Sequence, residues 1–114
     1  MTHKGKFIVG FLAVILGIFT GAMIFFAAPG PDGAAIYKQR CAMCHGADGK
    51  GYSALKTRDM TDPKWQASVK DKDLVEIIKN GKKGTSMPPF AGKLKDDEIH
   101  AVVVHIRSLK SKTE

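Results

Sequence analysis

Cysteine is scarce in this chain of 114 residues: there are two, Cys41 and Cys44, three positions apart. A framework of disulfides is therefore excluded as the source of stability. A complete zinc site is also missing. Zinc takes four ligands, and no second Cys-x-x-Cys or His-x-x-x-His follows the first pair. Charge is absent from Phe7 to Ala28, although 25% of the whole chain is charged. No nucleic-acid-binding motif accompanies the net charge of +7, which fits a solvated basic surface or an acidic protein partner better than nucleic acid. The glycine-rich stretch Gly46 to Gly51 has no strand pattern before it and no helix pattern opening at its end, so it is not a phosphate loop. It reads as a loop that lets the backbone pass close to another group.

What is present centres on Cys41-Ala42-Met43-Cys44-His45. Two cysteines three apart with a histidine directly after the second form the pattern of covalent haem attachment. Each thiol can add across one vinyl group of the porphyrin. The adjacent His45 is then carried to the iron as the proximal ligand. Half a zinc site is the competing reading of Cys-x-x-Cys, and the missing second half counts against it. The chain outside the charge-free run is small for a purely apolar core. A bound haem would supply a large apolar element without lengthening it.

The charge-free run has its own meaning. As a helix it spans about 33 Å, enough to cross a bilayer. Lys4 and Lys6 precede it and Asp32 follows it. The positive-inside rule then puts Met1 in the cytoplasm and the remainder outside. A cleaved signal peptide has a shorter apolar region and an A-x-A-like site. Cleavage after Ala28 would place Phe26 at −3 and Pro29 at +1, and there is no lipobox cysteine. The run is read as a retained anchor through residues 7–28. Ala13, Gly17 and Gly21 share one face of that helix, a small-residue surface suited to docking on another membrane helix. The division that follows is 1–28 for a basic head and anchor, 29–32 for a short linker, and 33–114 for one further domain.

Within that domain the pattern predicts helices. Gly33 to Arg40 reads as a short helix leading into the cysteines. Tyr52 to Gln66 reads as irregular. Leu74, Val75, Ile77 and Ile78 give Asp71 to Asn80 one apolar face, with Asp73 and Glu76 toward its start and Gly81 at its end. Gly81 to Leu94 reads as irregular and contains Met87-Pro88-Pro89-Phe90. A last helix starts near Asp96, with Ile99, Val102, Val103, Ile106 and Leu109 as its buried stripe. Its acidic start and basic end suit the helix dipole.

A haem iron has a second axial position, and five side chains compete for it. Met43 lies inside the attachment motif and cannot reach over the ring. His100 falls on the polar side of the last helix. His105 lies at the edge of the buried stripe, where packing is the simpler role. Met60 is possible but close in sequence to His45. Met87 sits in an extended segment stiffened by two prolines, which can hold a thioether sulfur over an apolar face. A His/Met pair raises the reduction potential and leaves no open site, which is the chemistry of electron transfer.

These residues together resemble a class I monohaem cytochrome c, in its membrane-anchored bacterial form. The resemblance covers about residues 33 to 110. It rests on Gly33 and Tyr37, eight and four before Cys41, then CAMCHG with its glycine-rich loop, and Trp65 after Asp62-Pro63. DLVEIIKNG, MPPF and DDEIHAVVVHIRSLK complete it. It implies an all-α fold around one covalent haem c, preceded by one transmembrane helix, with the first and last helices crossing beside the haem. It implies Cys41 and Cys44 as thioether attachment points, and His45 and Met87 as axial ligands of the iron. Two positions depart from the family. An aromatic residue is usual where this chain has His105. A proline is common some ten residues after the haem histidine, and Gly51 to Met60 has none.

The function this implies is one-electron transfer in a respiratory chain, not enzymatic catalysis. The expected location is the outer, periplasmic face of the bacterial plasma membrane. The leading form is a tethered carrier. Lys82, Lys83 and Lys93 flank the ligand loops and would face an acidic redox partner. The alternative is a fixed haem c subunit relaying electrons inside a larger membrane oxidoreductase. A haem enzyme or gas sensor would require that Met87 is not a ligand.

Overall fold

The computed structural model describes residues 27–110. The expected anchor lies outside the described residues except for Ala27 and Ala28, which are exposed. Among the described residues no helix is long and apolar enough to cross a membrane.

Five helices follow the exposed segment Ala27–Asp32: α1 (Gly33–Arg40), α2 (Ala42–His45), α3 (Pro63–Ser68), α4 (Asp71–Asn80) and α5 (Asp96–Ser108). Each of the three longer ones starts where a carboxylate meets otherwise unpaired backbone donors. Asp32 accepts from the Ala35 N–H at 3.1 Å at the start of α1. At α4, Asp73 accepts from Lys70 N–H at 3.3 Å. At α5, Glu98 accepts from Lys95 N–H at 2.7 Å. Gly81 ends α4 with φ +71°.

The frame is the crossing of α1 and α5, with α4 packed against α5. Gly33 makes the crossing possible. A Cβ there would run into the backbone carbonyl of Ala101 on α5. Tyr37, Ile99 and Val102 are fully buried beside the crossing, and Met60, Leu74, Ile78, Val103 and Ile106 complete the core. This is the small all-α arrangement the sequence implies.

One expectation needs correcting. Tyr52 to Gln66 is not irregular throughout. Ser53–Leu55 forms a 3₁₀ turn, and α3 begins inside the stretch. Asp62 caps α3, accepting from Lys64 N–H at 2.9 Å, and Pro63 occupies its first turn. Proline at that position loses no hydrogen bond and presets φ. The helix has six residues, too short for an apolar period to show.

A polar junction ties α5 to α3 and to the start of α4. Gln66, buried at 7% exposure, donates through Nε2 to the carbonyls of Met60 and Ile106 at 2.7 and 2.8 Å. Arg107 donates to the Gln66 carbonyl (2.7 Å), the Gln66 Oε1 (3.0 Å) and the Val69 carbonyl (2.6 Å). It also pairs with Asp71 at 2.7 Å.

Candidate haem site

The cysteine motif is a single tight turn. Cys41 ends α1, its N–H donating to the Tyr37 carbonyl at 2.8 Å. Its own carbonyl accepts from Cys44 N–H at 3.1 Å and from His45 N–H at 2.9 Å. The short helix brings the two cysteines and His45 within one turn of one another. Both cysteines are free; Cys41 is half-buried and Cys44 exposed. Burial pushes the Cys41 thiol up to about 11, and the Cys44 thiol beside it adds to the rise.

His45 is half-buried. Burial lowers its pKa, so the imidazole is neutral at neutral pH with a lone pair to give. Its Nδ1 is buried and has no hydrogen-bond partner. A buried ring nitrogen without a partner is costly. The missing proline between Gly51 and Met60 is thus matched by a missing partner for the ring nitrogen.

The loop after His45 is shaped by glycine. Gly46, Gly49 and Gly51 all have positive φ. Gly51 N–H closes the loop on the His45 carbonyl at 2.8 Å, and Met60 N–H donates to Gly49 O at 2.8 Å. The loop thus carries the chain from the motif back to the core.

The candidate sixth ligands separate clearly. Met60 is in the core at 5% exposure. Met43 is 83% exposed. His100 is exposed, and its Nδ1 lies 2.6 Å from the Asp96 carbonyl one turn back. His105 packs on the Tyr37 ring, with centroids 4.9 Å apart, so histidine fills the usual aromatic place. Met87 is half-buried, and it borders the same core cluster as Cys41, Ala42, Trp65 and Phe90. Its segment is held to the end of α4: Lys82 N–H donates to Met87 O at 3.3 Å, and Phe90 N–H to Ile78 O at 2.9 Å. Gly81 lets this segment lie close, since a Cβ there would be 2.7 Å from Met87 O.

The donor set suits haem c. Two free thiols, a neutral imidazole and a rim of half-buried apolar side chains match a covalent porphyrin. Among the described residues no cluster of His, Cys, Asp and Glu could hold a metal ion by itself. Exposed Lys82, Lys83 and Lys93 stand around the methionine segment, with the Lys93 ammonium 5.9 Å from the centre of the Phe90 ring. Sequence reasoning missed Gln66, a buried polar residue with no motif to mark it, and it read Arg107 only as a cation at a helix end.

Comparison with known proteins agrees. Residues 28–106 match the family described as cytochrome C oxidase, cbb3-type, subunit III. The chain is similar to the cbb3-type cytochrome c oxidase subunit FixP of Azorhizobium caulinodans, 35% identical over 88 residues, covering 73% of this chain and 30% of that one. It is similar to the corresponding subunit CcoP of Rubrivivax gelatinosus, 36% identical over 69 residues, covering 60% of this chain and 22% of that one. It thus spans less than a third of the length of the curated relatives it matches. Among solved structures, the KustC0563 c-type cytochrome is similar at 36% identity with a TM-score of 0.66, covering 70% of this chain and 99% of that one. With the haem motif, the helical frame and these likenesses in agreement, the chain belongs to the family of cbb3-type cytochrome c oxidase subunit III and is a small class I c-type cytochrome whose cofactor is covalent haem c.

Proposed function

We propose that this chain is a fixed haem c subunit that relays single electrons within a membrane oxidoreductase complex, rather than a free carrier. The names of the similar oxidase subunits support the fixed role. The observation that carries the site is the CAMCH turn, which sets two free thiols beside a neutral His45 imidazole. Cys41 and Cys44 would hold haem through thioethers, and His45 and Met87 would ligate its iron. Haem c, when bound, supplies a one-electron iron couple. The protein's own residues bind and orient it. The core helices would shield it from water on one side, and Met87 would leave the iron no open position. With His45 and Met87 both on the iron there would be no place for a substrate, so the chain would transfer electrons without catalysing a bond change.

Residues 33–114 form the haem domain, 29–32 the linker and 1–28 the anchor. The anchor lies in the bacterial plasma membrane and the haem domain on its periplasmic side. The charge-free run and the lysines before it support this placement. Lys82, Lys83 and Lys93 offer a basic rim to an acidic redox partner. The visible spectrum of the purified protein tests the site. Haem that resists acidified acetone, with a low-spin spectrum in both oxidation states, is expected. Extractable haem or a high-spin ferrous form would overturn the ligand set.

A further inference from the structure

We propose that Tyr37 is a positioning residue for His45, acting through the carbonyl of Gly46. The inference rests on the reading of His45 as an iron ligand.

An axial imidazole usually has its direction set by an acceptor on the far ring nitrogen. Here Nδ1 has none. The ring must therefore take its direction from the backbone that carries it. Before the ring, His45 N–H is held by the Cys41 carbonyl at 2.9 Å. At His45 itself, the carbonyl accepts from Gly51 N–H at 2.8 Å. Immediately after it comes Gly46, with φ +79°, a residue with no Cβ to restrict its torsions. Gly46 N–H is held by the Ala42 carbonyl at 2.8 Å. Its carbonyl is held by a side chain, the Tyr37 hydroxyl, at 2.8 Å and buried. Removing that donor leaves a buried carbonyl unpaired at the most pliable backbone position beside the ligand.

Tyr37 is well placed for this. It is 1% exposed, so the hydroxyl has no competing water. Its ring is packed on His105 of α5. The hydroxyl pKa is pushed up to about 12, chiefly by burial, so the donor proton is present throughout the neutral range. The crossing of α1 and α5 is thereby linked to the ligand: α5 holds the Tyr37 ring, Tyr37 holds Gly46, and Gly46 fixes the chain leaving His45.

A core tyrosine with a satisfied hydroxyl would look similar, so the test needs a readout that stability alone does not move. Tyr37→Phe keeps the ring and its packing and removes only the donor. In the purified, haem-loaded full chain, the ferric electron paramagnetic resonance g-values and the pattern of paramagnetically shifted haem-methyl resonances read the imidazole orientation. Both are expected to shift in Tyr37→Phe, together with the midpoint potential, while haem remains covalent and low-spin. His105→Ala removes the ring's neighbour and leaves the hydroxyl; it is expected to lower the melting temperature with g-values near wild type. If Tyr37→Phe melts lower but keeps the wild-type g-values and methyl pattern, the hydroxyl serves only the fold and the proposal is overturned. If no haem-loaded Tyr37→Phe accumulates, growth with 3-fluorotyrosine alters the same hydrogen bond in an intact fold, and an unchanged potential and methyl pattern then overturns it. Failure of the underlying reading is seen separately, in wild type lacking a histidine-ligated spectrum.

Discussion

Two methionines with the same chemistry have different surroundings here. Met60 is enclosed in the core, and its backbone is tied to Gly49 and to Gln66. Met87 stands half-buried at the rim, on a segment stiffened by Pro88 and Pro89. Met60→Ala is expected to cost ~2–5 kcal/mol in denaturant unfolding through a core cavity, and to leave the haem spectrum unchanged. Met87→Ala is expected to cost less, lower the potential and admit carbon monoxide to the reduced form. The opposite pairing of results would show that Met60, not Met87, binds the iron. Tyr37 adds a dependence on alkaline pH. An unfolded tyrosine loses its proton near its ordinary value of 10.0, and Tyr37 in the fold near 12. Its contribution is complete below the unfolded value and declines as pH rises toward the folded one, because only the unfolded chain gains by ionising. Melting temperatures of wild type should therefore fall more steeply over this alkaline range than those of Tyr37→Phe.

α1, α4 and α5 meet in the apolar core, and α3 joins them through polar as well as apolar contact. Trp65 of α3 packs against that core, while Gln66 and Arg107 tie α3 to α5 by hydrogen bonds. The ion pair of Arg107 with Asp71 is the weaker part of that junction, since the Asp71 side chain is 69% exposed and water screens it. The bonds to the Gln66 and Val69 carbonyls are the stronger part, because without Arg107 those groups lack a donor. Asp71→Asn is expected to cost less than ~1 kcal/mol, and Arg107→Met ~2–4 kcal/mol. Urea unfolding of the haem-loaded protein measures both. Equal costs would place the energy in the ion pair instead.

On the proposed division of the chain, the controlling dimension of the assembled protein is the linker. Four extended residues, Pro29 to Asp32, reach at most about 14 Å. If residues 7–28 cross the membrane as proposed, a haem domain on such a tether would stay against the bilayer, and its redox partner would be fixed beside it or arrive by lateral diffusion. In the proposed anchor helix, Ala13, Gly17 and Gly21 would offer a place for fixing. Mild detergent is expected to extract this protein together with at least one other membrane protein. Gly17→Ile combined with Gly21→Ile should weaken that association and leave the haem spectrum as it was. Recovery of the haem protein from the soluble periplasmic fraction, beginning after residue 28, would remove the tether and the argument from reach.

Local signals were enough to read much of this protein. The attachment turn, α1, α4 and α5 follow from short-range chemistry: a motif of five residues, carboxylates at helix starts, a glycine at a helix end, and apolar stripes long enough to have a period. The exposure of His100 and the packing of His105 follow from the same periodicity. α3 had its cap and its proline in plain view, but no period long enough to weigh them by. Only the tertiary structure decided which groups meet across long separations. Gln66 reaches Ile106, Arg107 turns from a helix-end cation into the centre of a junction, and Tyr37 finds the carbonyl of Gly46. Sequence pattern reports which face of an element is buried. It does not report which buried donor will find which acceptor, because that choice is made when α1 and α5 cross and the loops close on them.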